Sequence, residues 1–148
     1  MSIKSLATAS LTTLLVAVSA FAELPLKATI PFDFTAYETR MQAGEYDVIF
    51  DRPGLVRLAR EDRGATAIIL TMAVQAKTTP TTGKLVFNKY GDSYFLSEIW
   101  SPGYDRGQLL PKSQRELEIA KNGSADRPSI VTAASSRTRR AGARPSVR

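Results

Sequence analysis

The chain has 148 residues, 43% of them hydrophobic, and carries 20 Lys and Arg against 14 Asp and Glu, a formal net charge of +6. It contains no Cys and no His, so no disulfide framework and no Ser-His-Asp or Cys-His nucleophile can be assembled, and the usual ligands of zinc, copper and haem iron are lacking. Methionine, carboxylate or tyrosine ligation would remain open, but no spacing suggests it; neither a metal nor a cofactor is expected, and no residue stands out as catalytic.

Residues 1–22, MSIKSLATASLTTLLVAVSAFA, have the three-part pattern of a secretory leader. Lys4 supplies the positive start, the run from about Leu11 to Ala20 is apolar, and Ala20-Phe21-Ala22 is an A-x-A cleavage site that leaves Glu23 as the mature N-terminus. An uncleaved anchor fits less well, because a span needs about 20 apolar residues and Thr8, Ser10, Thr12, Thr13 and Ser19 dilute this run. No Cys follows the apolar run and no Arg pair precedes it, which argues against a lipid anchor and for the general secretory route. The expectation is a protein exported to the periplasm or the medium, with no membrane span after cleavage.

Residues 23–122 form one small domain in this reading, and residues 123–148 a disordered basic tail. The body from Glu23 to Asn122 holds thirteen Lys and Arg against thirteen Asp and Glu and is neutral, whereas the last 26 residues hold six Arg against Asp126 alone. The high isoelectric point therefore belongs to the tail and leader, and a basic face on the domain is not implied.

Within the body, Leu26, Ala28, Ile30, Phe32 and Phe34 alternate with Lys27, Thr29, Asp33 and Thr35, the period of a strand with one buried face. Pro31 lacks a ladder donor, so this strand is expected at an edge or bulged. A polar connection from Glu38 to Gly44 leads to a second strand through Tyr46, Val48 and Phe50. The stretch Asp51-Arg52-Pro53-Gly54 reads as a type II turn, Pro presetting φ and Gly accepting φ > 0. Leu55 to Arg60 makes a third strand and Glu61 to Gly64 a turn. Ala65 to Val74 makes a long apolar strand, with Ile68, Leu70, Met72 and Val74 on one face, Ala67, Ile69 and Ala73 on the other, and cover expected on both.

After the polar loop Gln75 to Gly83, KLVFNKYGDSYFLSEIW reads as a hairpin around a type II′ turn at Gly91-Asp92, pairing Lys89 with Tyr94 and Phe87 with Leu96. That register places Leu85, Phe87, Tyr94, Leu96 and Trp100 on one face and Val86, Tyr90, Phe95 and Ile99 on the other. Ser101 to Tyr104 breaks the strand. Ser113-Gln114-Arg115-Glu116 is a capping-box pattern opening a short helix, with a thin apolar face of Leu117 and Ala120, that Asn122-Gly123 closes. The Ser, Ala and Arg-rich remainder has too little apolar content to offset ordering entropy.

The ordered set IPFDF, AGEYDV, GKLVFNKYGDSYFLSEIW and LPKSQRELEIA, spanning about residues 26–121, resembles that of a group of small exported bacterial proteins of uncharacterised function. The resemblance implies that leader, β domain and helix form one unit; it implies no activity, cofactor or site.

Two constellations could carry chemistry. Glycoside hydrolysis without His uses two carboxylates held about 5–9.5 Å apart, but Glu45 and Asp47 fit a solvated strand face. Glu98, on the core side in the expected register, is best explained by a buried ion pair with Lys89. Ser97 and Lys89 lie on opposite faces there, which removes a Ser-Lys arrangement. The aromatic residues are the second constellation: Tyr46, Tyr94 and Trp100 fit core positions, Tyr90 and Tyr104 fit the surface, and a ligand stacked in a barrel mouth would draw on Tyr90, Trp100 and Tyr104. Arg137, Arg139, Arg140, Arg144 and Arg148 would give the tail affinity for anionic envelope polymers through counterion release, without specific nucleic-acid recognition.

The expected fold is all-β, a small antiparallel barrel or sandwich of about six or seven strands with one short C-terminal helix. The expected function is that of an exported, non-catalytic binding or envelope-associated protein, with a small carboxylate-dependent hydrolase of glycans as the alternative.

Overall fold

The computed structural model describes residues 23–135. They form β1 (Leu26–Ile30), β2 (Phe34–Ala36), β3 (Thr39–Met41), β4 (Gly44–Arg52), β5 (Leu55–Arg60), β6 (Thr66–Leu70), β7 (Met72–Gln75), β8 (Gly83–Tyr90), β9 (Ser93–Trp100), β10 (Arg106–Leu109), the single helix α1 (Gln114–Asn122), and β11 (Ser129–Ser135). The all-β class with one short helix is as expected, while the strands number eleven among the described residues rather than six or seven. The extra ones are short or lie outside the expected domain.

One sheet runs β3-β2-β9-β8-β11-β1-β4-β5-β6, and β10 bridges β9 to β7. Because β6 and β7 are separated only by Thr71, this bridge nearly closes the sheet into a barrel. Thr71 is where the strand changes partner: its N–H donates to the Gly54 carbonyl at 2.9 Å, on the β5 side, whereas Ala76 N–H donates to the Asp105 carbonyl at 2.7 Å, on the β10 side. The expected single strand from Ala65 to Val74 is thus two half-strands serving opposite neighbours. Nor is it covered on both sides. Ala67 and Ile69 are buried, but Ile68, Leu70 and Met72 are 65%, 70% and 58% exposed.

The core fills the barrel. Leu26, Ala28 and Ile30 of β1 meet Tyr46 and Val48 of β4, Val56 and Leu58 of β5, Leu85 and Phe87 of β8, and Leu96 and Ile99 of β9. Phe34 stands edge-on to both Tyr46 and Phe87, with ring centroids 5.4 Å apart in each pair. Pro31 does not mark an edge or bulge: β1 stops at Ile30, and β1 lies centrally between β4 and β11. Pro instead ends the strand, and the chain turns into the β2–β3 hairpin, whose tight turn holds Tyr37 at a left-handed φ of 55°.

The β8–β9 hairpin keeps its expected turn, with Gly91 at φ 59° and Tyr90 opposite Ser93. Its register then shifts: Phe87 opposes Leu96, but Val86 opposes Glu98, leaving Ser97 as an extra residue in β9. A bulge of one residue reverses which face every later side chain takes. Ile99 therefore enters the core, and Glu98 and Trp100 move to the outside, opposite to the expected arrangement.

The largest correction concerns the tail. Residues 129–135 form β11, inserted between β1 and β8, with Leu26 opposite Ser135 and Leu85 opposite Val131. The domain therefore extends beyond Asn122 to at least Ser135. Ser129, Val131, Ala133 and Ser135 alternate with Ile130, Thr132 and Ala134; the inward residues are small because β1 and β8 already fill the interior here, and only Ala133 is fully buried. Asp126 guides the chain in, its N–H donating to the Lys89 carbonyl at 2.8 Å and its carboxylate accepting from Gly91 N–H at 3.2 Å.

Helix α1 forms where expected, with Ser113 as N-cap, its Oγ accepting from Glu116 N–H at 3.1 Å. The capping box is only half made. The Glu116 carboxylate turns to the sheet, accepting from Asn88 Nδ2 at 2.8 Å and Tyr90 Oη at 3.3 Å. Glu116 is the buried residue of the helix, while Leu117 is 39% exposed. Docking is thus polar rather than apolar, and it encloses Tyr90.

Gly83 permits the entry of β11. A Cβ there would lie 2.7 Å from the Ala133 carbonyl oxygen and 3.2 Å from Leu26 Cδ2, and the backbone oxygen cannot move without breaking the ladder. Gly83→Val is expected to destabilise the protein by about 1–3 kcal/mol, as overpacking does, and to speed amide exchange in Val131–Ala133. Unchanged thermal unfolding and exchange would contradict that approach.

Candidate functional site

A cleft of about 440 Å³ opens at the end of the barrel where the β4–β5 turn meets the β9–β10 connection. Asp51, Arg52, Pro53 and Gly54 line it from the β4–β5 turn, Tyr104, Arg106 and Gln108 from the other side, and Phe50, Ala73 and Glu23 complete the lining. The sequence dictates both walls locally. Pro53-Gly54 turns the chain with Gly54 at φ 77°, and a register shift between Phe50 and Arg52 bends β4 beside it. The Arg57 guanidinium clamps the bend, donating to both Asp51 carboxylate oxygens at 2.9 and 2.8 Å.

This fork of hydrogen bonds, together with the cation's charge, holds the Asp51 carboxyl below its ordinary range and raises Arg57. Asp51 is therefore committed to structure. Arg52 and Arg106 make no ion pair among the described residues, and both are exposed to the cleft. Gln108 Oε1 accepts from Thr71 Oγ1 at 2.6 Å, which ties the second wall to the point where β6 passes into β7. The result is a cleft lined by a tyrosine ring, by apolar Phe50 and Ala73, and by two arginines that make no ion pair among the described residues.

Of the residues singled out in the sequence, only Tyr104 lies here. Trp100 is 7% exposed and packs on the outer face of the hairpin, under a lysine: Lys84 Nζ stands 5.6 Å from its ring centroid. A Cβ on Gly107 would meet that indole at 2.6 Å, so glycine is what lets β10 cross it. Tyr90 is not a surface ring; it is 8% exposed, edge-on to Phe95 and bonded to Glu116. Tyr46 is in the core as expected, and Tyr94 packs against its margin, stacked on Phe32 at 3.9 Å. Sequence reasoning missed Arg52 and Arg106; the Pro-Gly turn was the available signal for the first, and the second sits on a strand too short to read.

The expected Lys89–Glu98 ion pair is not made. The bulge places Glu98 opposite Val86, where its carboxylate accepts from Trp100 Nε1 at 2.8 Å, and Lys89 Nζ lies 5.7 Å from the Tyr94 ring centroid. The other acidic group sits at the barrel's opposite rim. Glu45 shares a hydrogen bond with Glu61, which raises the Glu45 carboxyl; Glu61 is lowered by that bond and by Lys27, 3.0 Å away. All of these groups are solvated.

Among the described residues no cluster of three or more acidic side chains is placed to hold a metal ion, and no helix is long and apolar enough to cross a membrane. The leader and the arginines from Arg137 to Arg148 lie outside the described residues. No family model matches the chain, nor does any curated protein or solved structure.

The Asp51–Arg57 clamp has a defined pH signature. Because the folded state lowers the Asp51 carboxyl, the stabilisation is complete above the ordinary aspartate value of about 3.9 and is lost as pH falls through the lower folded value. Asp51→Asn is expected to melt below the parent at neutral pH, and the gap should close in acid. A gap that stays constant to pH 2 would show that the charge is not what matters.

Proposed function

We propose that this chain is an exported, non-catalytic binding protein whose barrel-end cleft takes a small ligand joining a flat apolar body to an anionic group. The observation that carries the reading is the convergence of Tyr104, Arg52 and Arg106 on one cleft whose two acids are Asp51, already neutralised by Arg57, and Glu23. An aromatic wall gives area at low entropic cost, and two unpaired guanidinium groups select a carboxylate, sulfonate or phosphate. The leader pattern of residues 1–22 supports export.

The probe for the cleft is 8-anilinonaphthalene-1-sulfonate, whose planar rings and sulfonate match that chemistry. Saturable binding that weakens with salt is expected, and replacing Tyr104 by Ala together with Arg106 by Gln should reduce affinity about tenfold, as for the loss of about 1.4 kcal/mol. Ile68→Lys, on another surface, serves as the control. Equal binding by parent and cleft variant would remove the proposal.

The arginines from Arg137 onward form a second element of the proposal, a cationic segment that holds the protein to anionic polymers of the envelope. Since residues 129–135 belong to the sheet, the informative truncation follows Ser135. Salt-sensitive retention on immobilised polyphosphate should vanish in that truncated protein while its unfolding temperature is kept. Undiminished retention would assign the interaction to the neutral body and refute the role of the segment.

A further inference from the structure

The sheet nearly closes, and the strand left at its seam is unusually bare. β6 is hydrogen-bonded to β5 alone, and its other edge has no strand partner among the described residues. Edges of this kind are normally protected by Lys, Pro or a bulge. From Gly64 to Gln75 the chain has no charged residue and no Pro. Ile68, Leu70 and Met72 are the most exposed large apolar side chains in this region, and Ile68 and Leu70 share the outer face of β6.

The backbone shows which groups are open. Thr71 N–H points to β5, where it meets the Gly54 carbonyl. Peptide groups alternate between neighbours along an antiparallel strand, so Ala67 and Ile69 also face β5, and the N–H and C=O groups of Thr66, Ile68 and Leu70 face the free edge. Three residues therefore present six backbone groups to the same side. Ile68 is the middle one.

We propose that β6 pairs with β6 of a second copy of this chain, antiparallel, about a two-fold axis through Ile68. The strand is complementary to itself in this register. Ile68 opposes Ile68 of the other copy as a hydrogen-bonded pair, and Thr66 opposes Leu70 on either side, so all six open backbone groups of each copy are satisfied. The outward Ile68 and Leu70 side chains cluster across the seam, and the inward Ala67 and Ile69 continue one core face into the other.

Charge argues for a second copy over a foreign strand. The body is neutral overall, β6 itself carries no charge, and its cross-strand neighbour Arg57 is paired with Asp51, so no uncompensated like charge lies along the edge against an identical partner and none within Gly64–Gln75 selects a different one. The contact is small. Standard interfaces use about 20–30 residues a side, so the dimer forms and dissociates with concentration.

The absence of native Cys makes the test specific. A hydrogen-bonded antiparallel pair holds its Cα atoms about 5.5 Å apart, within the disulfide range of about 4.4–6.8 Å. Under mild oxidation Ile68→Cys is expected to give a covalent dimer. Thr66→Cys and Leu70→Cys should stay largely unlinked alone but link to each other when mixed. In sedimentation, the parent should show a concentration-dependent dimer that Ile68→Lys abolishes while circular dichroism and unfolding temperature are kept. Linking at equal rates by all three single variants would indicate random collision and overturn the register. A parent that is monomeric at every soluble concentration, or a folded Ile68→Lys protein that still dimerises, would overturn the proposal itself.

Discussion

One additional residue, Ser97, governs how this barrel closes. Without it, Ile99 would face solvent and Trp100 would be driven into a core already occupied by Leu85, Phe87 and Leu96. With it, the second half of β9 turns its apolar residue inward and presents Glu98 and Trp100 outward. The carbonyl of the extra residue is not orphaned, since it accepts from Leu110 N–H at 2.8 Å, and Leu110 is itself buried. That bond anchors the end of β10 against β9, and β10 carries the bridge to β7. The bulge, Gly107 and the change of partner at Thr71 thus act as a single closure, each making room for the next.

The outer surface of the hairpin is organised by polar anchors more than by apolar burial. Trp100 is fixed by Glu98 on one side and covered by Lys84 on the other. Glu116, drawn from its local capping role, holds α1 down through Asn88 and Tyr90. A buried carboxyl is tolerable here because one of its oxygens accepts from two neutral donors, and these directional bonds orient the helix more narrowly than an apolar contact would. The same pattern holds at the cleft, where Asp51 is paired in shaping the turn and Arg52 and Arg106 make no ion pair among the described residues.

Much of the fold was legible because it rests on short-range rules. Alternation identified β1, β4, β5 and the β8–β9 hairpin, while Pro53-Gly54 and Gly91-Asp92 announced their turns. The errors share a cause: each arose where a distant segment overrode a local pattern. The Ser97 bulge leaves no mark in composition, because Ser-Glu continues a plausible alternation. The turn of β2–β3 places Tyr37 at positive φ, where Gly or Asn would have been the recognisable residue. The residues from Ser129 to Ser135 read as tail because their own apolar content is low; they become a strand only because β1 and β8 already offer two edges and a space that small side chains fit. Of the site, Tyr104 was legible as a ring beside a chain break. Tyr90 and Trp100 were misplaced for want of the helix and the bulge, and Arg106 required β10.

The position of β11 also bears on when the molecule can acquire its structure. The stave that joins β1 to β8 is the last element of the described chain, and its partner Leu26 is near the first. A polypeptide moving in chain order must therefore present almost all of the described residues before the sheet becomes continuous, and non-local pairing of this kind is slow. Such a topology postpones cooperative folding until residues as late as Ser135 are available to pair, and the sheet hardens only once the final stave is in place.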